Sequence, residues 1–355
     1  MARKIMVLHL LLSFASLFAQ VDRIDNPVKN FDKLWSVFND RYANFELKNV
    51  NWDSVYKAYR PLINERTTND SLFKVCNKML LELKDGHVNL IEYGRKGKVL
   101  KRGDDGSPSK FLERFPLSKN DKYTIYKLLK TTDSTLRENG FIHIGNSGNS
   151  TLEYYKSEDF GYLRILSMGK LSSREYKRYI DDAVKNFKGL KGVIIDIRFN
   201  GGGDDKNSMI IASRFTDKKR VGFLKKERIN GTSRYKKMVI SHISPAGQVQ
   251  YTGPIVILTS DLTASAAEVF ALAMKELPYV SILGDNTNGI FSDMFDFKLP
   301  NGWLATLSHQ KYFSANMKNF EGIGVEPDIE VKNTHEDIIT GRDQVIIEAI
   351  DLINQ

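Results

Sequence analysis

A single cysteine, Cys76, in 355 residues leaves no partner for an intramolecular disulfide and no cysteine cluster for structural zinc. His-Glu-x-x-His is absent, and so is Gly-x-x-x-x-Gly-Lys-Ser/Thr. The common zinc-peptidase and phosphate-loop chemistries therefore have no support. Beyond His9 the five histidines lie far apart. Past the N-terminal run, no stretch reaches the ~18 apolar residues that a membrane span requires. Internal repeats and long low-complexity tracts are missing too. What is present is globular: 41% hydrophobic and 27% charged residues, enough to bury a core. The length suits one large or two ordinary domains.

The formal charge is +9, and its distribution matters more than its size. Arg95, Lys96, Lys98, Lys101 and Arg102 supply much of the excess within one Gly- and Pro-punctuated stretch, residues 94–122. That stretch has no interleaved aromatics and no heptads, so it reads as a solvated loop or irregular strand pair rather than a nucleic-acid site. Arg3 and Lys4 head an apolar run, Ile5 to Phe18, broken only by His9, Ser13 and Ser16. Ala19 before Gln20 offers a small-residue cleavage point. This predicts a secretory signal over residues 1–19 and an extracytoplasmic chain, periplasmic or secreted, after cleavage near Ala19. No cysteine follows the run to take a lipid anchor.

Residues 20–92 read as a small helical N-terminal domain. Phe31, Leu34, Trp35, Phe38, Tyr42 and Phe45 recur at helical spacing. Leu72, Val75, Met79, Leu80 and Leu83 repeat the pattern in a second long helix, with Asp70 as the expected N-cap. A shorter helix is expected from Trp52 to Ile63. Residues 93–155 read as an irregular basic connecting region. From residue 156 to 335 strand and helix alternate: Tyr162–Leu166 strand, Ser172–Phe187 helix, Gly192–Ile197 strand, Lys206–Phe215 helix, Pro254–Thr259 strand, Ser265–Leu277 helix, Val280–Leu283 strand. Asn301-Gly302 marks a hairpin between 295–299 and 303–307. Residues 336–355 close the chain as a helix. The alternation predicts an α/β core with parallel strand pairs.

Four blocks carry candidate chemistry. In Asp196-Ile197-Arg198-Phe199-Asn200-Gly201-Gly202-Gly203 a buried strand runs into three glycines. Such a run lets backbone N–H groups converge on an oxyanion or phosphate, and equally makes an ordinary turn. In Thr263-Ala264-Ser265-Ala266-Ala267-Glu268 a serine sits at a helix start. Free N–H groups and the positive dipole end would stabilise an alkoxide there, while Ser265-x-x-Glu268 is also a plain capping box. In Lys84-Asp85-Gly86-His87 a histidine follows a helix stop. Its near-neutral pKa makes it a natural base for a serine. In Glu321-Gly322-Ile323-Gly324-Val325-Glu326-Pro327-Asp328 a turn presents carboxylates able to orient a histidine. Spacing alone does not choose among Glu321, Glu326 and Asp328.

In this order, the four blocks resemble the tail-specific or C-terminal processing serine peptidases, a family that includes tricorn-like proteases. The resemblance covers residues 80–90 and about 160–332. It implies a crotonase-like spiral of β-β-α units. It also implies Ser265 as nucleophile, with Ala266 and either Gly202 or Gly203 supplying the oxyanion N–H groups. One branch of the family takes its base from a Gly-Lys-Gly motif. Here the matching stretch is Asn288-Gly289-Ile290-Phe291, and Ile290 stands at the lysine position. The resemblance then points to the tricorn-like branch, with His87 as base and Glu321 as third member. Residues 94–155 lack a Gly-Leu-Gly-Phe-type carboxylate loop, so no typical PDZ domain is expected.

The expected activity is hydrolysis of peptide bonds in a peptide or protein substrate, with no metal, organic cofactor or nucleic acid. Two rivals share the fold: a non-catalytic module binding peptides or apolar ligands, and an acyl-CoA enzyme, against which the export signal argues.

Overall fold

The computed structural model describes residues 26–103, 109–115 and 121–355. The expected leader lies outside the described residues.

The N-terminal apolar stripes form helices, as spaced. Helix α1 (Pro27–Arg41) starts where Asn26 Oδ1 accepts the Lys29 N–H at 2.9 Å, and it buries Phe31, Leu34 and Phe38. Helix α2 (Trp52–Tyr59) gives way to a 3-10 turn through Leu62 instead of running unbroken to Ile63. Helix α3 (Asn69–Leu81) is capped by Thr68, whose Oγ1 accepts the Ser71 N–H; Asp70, the expected cap, sits one turn-position inside. Strands β1 (Asn89–Tyr93) and β2 (Val99–Arg102) then pair antiparallel around a bulge at Glu92 and Tyr93.

The stretch 93–155, expected to be irregular, carries regular structure beyond its first loop. It contains the short α4 (Lys110–Glu113), the long α5 (Asp121–Glu138), and strands β3 (Ile142–Asn146) and β4 (Leu152–Lys156). The buried positions of α5 include Thr124, Thr131, Thr132 and Thr135 alongside Leu128 and Leu136. A face half made of threonine gives no apolar stripe to read.

The α/β alternation follows: β5 (Phe160–Ile165), α6 (Ser173–Phe187), β6 (Gly192–Asp196), α7 (Asp205–Ala212), β7 (Arg220–Glu227), β8 (Val239–Ile243), β9 (Ile255–Thr259), α8 (Ala266–Met274) and β10 (Val280–Gly284). The chain ends through β11 (Met294–Lys298), β12 (Leu304–Ser308), β13 (Gln310–Phe313), β14 (Ile329–Glu330), α9 (His335–Ile339) and α10 (Gln344–Asn354). The single C-terminal helix expected over 338–353 is broken between Ile339 and Gln344, where Gly341 has φ +78°.

One seven-stranded sheet, in the order β14-β10-β9-β6-β5-β4-β3, forms the backbone of the molecule. Its strands β14, β10, β9, β6 and β5 are parallel, and β4 and β3 run antiparallel. Both faces are covered, which is why β6 reads as an unbroken apolar run. Val193 and Ile195 face α6, α7 and α8; Ile194 faces Leu136 of α5 and Val345 and Ile346 of α10. Every residue of α8 is buried. This is the α/β class expected, with a helical N-terminal region.

The Asn301-Gly302 hairpin forms, but it joins a different sheet. Strand β12 pairs antiparallel with β1, setting Leu90 opposite Ala305. Leu299, Trp303, Ala305 and Leu307 complete the apolar core beneath α1 and α3. The boundary drawn at residue 92 thus cuts a sheet shared by both halves, and the N-terminal helices borrow their floor from the later sequence.

Candidate active site

The site lies at the carboxyl ends of the parallel strands β6 and β9, where loops leave the sheet and helices begin. Strand β9 ends at Thr259. The chain then turns through Ser260–Ala264 so that Ser265 stands just before α8. Ser265 has φ +56° and ψ −124°. A non-glycine residue in that region stores of order 1–3 kcal/mol of strain and persists only where its surroundings hold it.

Three anchors do so. Ala264 N–H donates to Asn200 O at 3.0 Å, Thr263 Oγ1–H donates to Ile197 O at 2.9 Å, and Ser265 N–H donates to Glu268 Oε2 at 3.0 Å. Glu268, read from sequence only as a cap, is a hub. It is fully buried and also accepts from Gly289 N–H (2.7 Å), Ile290 N–H (2.8 Å) and Thr287 Oγ1–H. Burial pushes its carboxyl up to about 7, against the pull of those four donors.

The glycine run comes from the end of β6. Arg198, 2% exposed, is clamped by Asp196 (2.6 Å) and by Asp343 of the C-terminal segment (2.9 Å). Asn200 Nδ2–H donates to Ile165 O, and its Oδ1 accepts the Gly202 N–H at 2.9 Å. Gly202 has φ +99°, and a Cβ there would fall 2.7 Å from Ser265 Cβ and 3.0 Å from Ala266 N. Glycine is what lets the run close on the serine. Because Gly202 N–H already has an acceptor, it is not a free oxyanion donor. Among the described residues, Gly203 N–H and Ala266 N–H have no backbone acceptor. Ala266 opens α8, where the first N–H groups have no intrahelical partner.

His87 arrives from the other half of the molecule, and its Nε2 lies 3.2 Å from Ser265 Oγ. Its backbone is fixed on both sides: Asp85 Oδ1 accepts His87 N–H at 2.9 Å, and Thr306 Oγ1–H of β12 donates to His87 O at 2.6 Å. The borrowed hairpin therefore sets the base. Burial lowers the His87 pKa, opposed by the charges of Asp85 and Asp293, and so favours the neutral imidazole. His87 Nδ1 is buried without a hydrogen-bond partner.

Glu321 is not hydrogen-bonded to that Nδ1. It is 4% exposed, its Oε2 accepts Phe291 N–H at 2.7 Å, and Lys48 Nζ stands 3.3 Å from its Oε1. Burial and then the charge of Asp85 push its carboxyl up to about 8. Glu326 lies at the surface, near Lys318. Asp328 is tied to Ile282 N–H and Lys275, away from the site. The structure brings together Ser265, His87, Ala266, Gly202 and Gly203, and leaves Glu321 behind the base rather than on it. Sequence reasoning missed Lys48, Asp85 and Asn200 as parts of this assembly. Asn200 and Asp85 lie within the quoted blocks; Lys48 has no local signal.

Among the described residues, no three His, Cys, Asp or Glu side chains are grouped to hold a metal ion. No described helix is long and apolar enough to cross a membrane.

A strained serine beside a histidine whose burial favours the neutral form, at a helix start with free N–H groups, is the arrangement that a serine-type peptidase needs. Residues 159–331 match the model of "Peptidase family S41", and residues 26–81 match the "Tricorn protease C1 domain". Together the two matches support a tail-specific S41 peptidase family for this chain. It is 28% identical over 177 residues to the carboxy-terminal processing protease CtpA of Bacillus subtilis, covering 50% of this chain and 36% of that one. It is 27% identical over 196 residues to the tricorn protease of Thermoplasma acidophilum, covering 54% of this chain and 16% of that one. These matches span well under two thirds of either relative. A crystal structure described as a candidate peptidase, from Parabacteroides merdae ATCC 43184, superposes with a TM-score of 0.76. It is 28% identical, covering 92% of this chain and 96% of that one.

Proposed function

We propose that the protein is an exported serine endopeptidase that hydrolyses peptide bonds through an acyl-enzyme on Ser265. The observation that carries this is the 3.2 Å approach of His87 Nε2 to Ser265 Oγ at a strained turn. His87, held neutral by its burial, takes the hydroxyl proton as Ser265 attacks a peptide carbonyl. Gly203 and Ala266 N–H groups receive the developing oxyanion. His87 then protonates the leaving amine, and water, activated by the same imidazole, releases the acyl group. Asp85 and Asp293 stabilise the imidazolium through space, and Glu321, pushed up to about 8, adds its charge only as the pH rises through that value. The substrate is a peptide or protein. The leader expected over residues 1–19 would carry the activity outside the cytoplasm, and relatives named carboxy-terminal processing proteases support action on chain termini.

A second reading, a non-catalytic peptide-binding module, draws on the unpartnered His87 Nδ1. A serine-reactive phosphonate separates the two. Labelling of Ser265 that is lost in both Ser265→Ala and His87→Ala, with peptide hydrolysis lost alongside, supports the peptidase. Absence of labelling across the pH range supports the binding module.

A further inference from the structure

Behind His87 the molecule buries more negative than positive charge. Asp85 and Glu321 are 5% and 4% exposed, and Tyr42, fully buried, donates its hydroxyl to Asp85 Oδ2 at 2.9 Å. Both Asp85 oxygens are thereby used, one by Tyr42 and one by the His87 N–H. Among the described residues, one cation is paired with Glu321. Lys48, on the turn after α1 and only 12% exposed, sets its Nζ 3.3 Å from Glu321 Oε1 and donates to Lys84 O at 3.1 Å. Lys84 has φ +46°, an unfavourable conformation for lysine, at the entry to the Asp85-Gly86-His87 turn.

We propose that Lys48 is a positioning residue of this site: it is the counter-cation of the buried Asp85–Glu321 pair and the clamp on the turn that carries His87. This rests on the reading of Ser265 and His87 as the catalytic pair. Two carboxylates sharing a dry space do not both ionise without a nearby positive charge. Lys48 supplies that charge from sequence far from either acid, and its removal shifts Glu321 towards the neutral acid. The groups facing Glu321 are Asp85, Tyr42, Lys48 and the Phe291 N–H; those acting on His87 are Asp85 and Asp293, the latter paired with Lys225 at 2.7 Å. Lys48 is therefore the cation that joins Glu321 to the turn carrying His87.

The test compares Lys48→Gln, which keeps a donor for Lys84 O but removes the charge, with Lys48→Arg, which keeps the charge. The full chain is labelled with carboxyl-13C glutamate, and Glu321 is assigned by its loss in Glu321→Gln. In Lys48→Gln the Glu321 titration is expected to move to higher pH by about tenfold or more in ionisation constant. Lys48→Arg restores the wild-type midpoint. The pH profile of phosphonate labelling at Ser265 moves in the same direction and by the same amount. A structural role alone would lower the labelling rate at every pH without moving the midpoint. An unchanged Glu321 midpoint in Lys48→Gln, or a profile that fails to follow it, overturns the proposal. Should Lys48→Gln not fold, Lys48→Met replaces it under the same criteria. If wild-type Ser265 is never labelled, the peptidase reading fails, and the carboxyl titration still decides whether Lys48 is the counter-cation.

Discussion

Ile290 Cδ1 fills the space beside Gly86 so closely that a Cβ on that glycine would lie 2.4 Å from it. The resemblance would place a base lysine at Ile290 in one branch of the family. In this chain that position is hydrocarbon, packed on the residue before His87. The position of that lysine thus lies against the turn that carries His87.

This contact gives the first prediction. Gly86→Ala forces the Ile290 tip aside or displaces His87, and an overpacked site costs typically about 1–3 kcal/mol. Labelling of Ser265 is expected to slow by roughly tenfold or more. Ile290→Val, which deletes the offending methyl, is expected to recover most of that loss in the double variant. A double-mutant cycle on labelling rate and denaturation midpoint reads the coupling. Strictly additive effects would contradict the contact.

The strain at Ser265 gives the second. With φ +56°, any side chain there is held against its preference, and glycine relieves that cost. Ser265→Gly is expected to be more stable than Ser265→Ala by about 1 kcal/mol, with both inactive. Urea denaturation of the two variants decides it; equal midpoints would mean the turn is not strained in solution.

The hub at Glu268 gives the third. All four of its partners are donors. Glu268→Gln matches its volume but turns an NH2 group towards an N–H, leaving buried donors unpaired at about 1–3 kcal/mol each. The variant is expected to lose several degrees of melting temperature and most of its labelling rate. A variant with wild-type stability and rate would remove Glu268 from the assembly.

The fourth concerns pH. Burial lowers the His87 pKa, so the base is already neutral at pH 7. Glu321 is pushed up to about 8, so its negative charge appears only as pH rises through that value. Activity is expected to climb between about pH 7 and 9 rather than level off near 6.5. Glu321→Gln should abolish that upper limb. The stability sign is opposite: a carboxyl whose folded pKa exceeds its unfolded value contributes stability below about 4.5 and loses it as pH rises through 8. Melting temperature against pH, for wild type and Glu321→Gln, checks both signs.

Much of this architecture is legible in the residues. Stripes such as Phe31, Leu34 and Phe38 place helices directly, and the run Gly192–Ile197 marks a strand buried on both faces. Helix α5 is not legible, because its inward face is largely threonine. Thr132 Oγ1–H donates to Asp343 Oδ2 and Thr135 Oγ1 accepts the Asp343 N–H, pairings visible only once the C-terminal segment is folded back. The candidate site divides the same way. Ser265, His87 and the glycines sit in local patterns that constrain the backbone. Glu321 is held by the Phe291 N–H and faced by Lys48, and no local pattern connects either residue to it.

The clamp of Asp343 on Arg198 also bears on when the site comes into being. During synthesis Asp343 leaves the ribosome after His87, the glycine run and Ser265 have all emerged. In the folded structure Arg198 is shared between Asp196 and Asp343, at the foot of the glycine turn. The turn beside Ser265 is thus braced by a residue 78 positions further along the chain, so the geometry of the site depends on the C-terminal segment packing against the sheet.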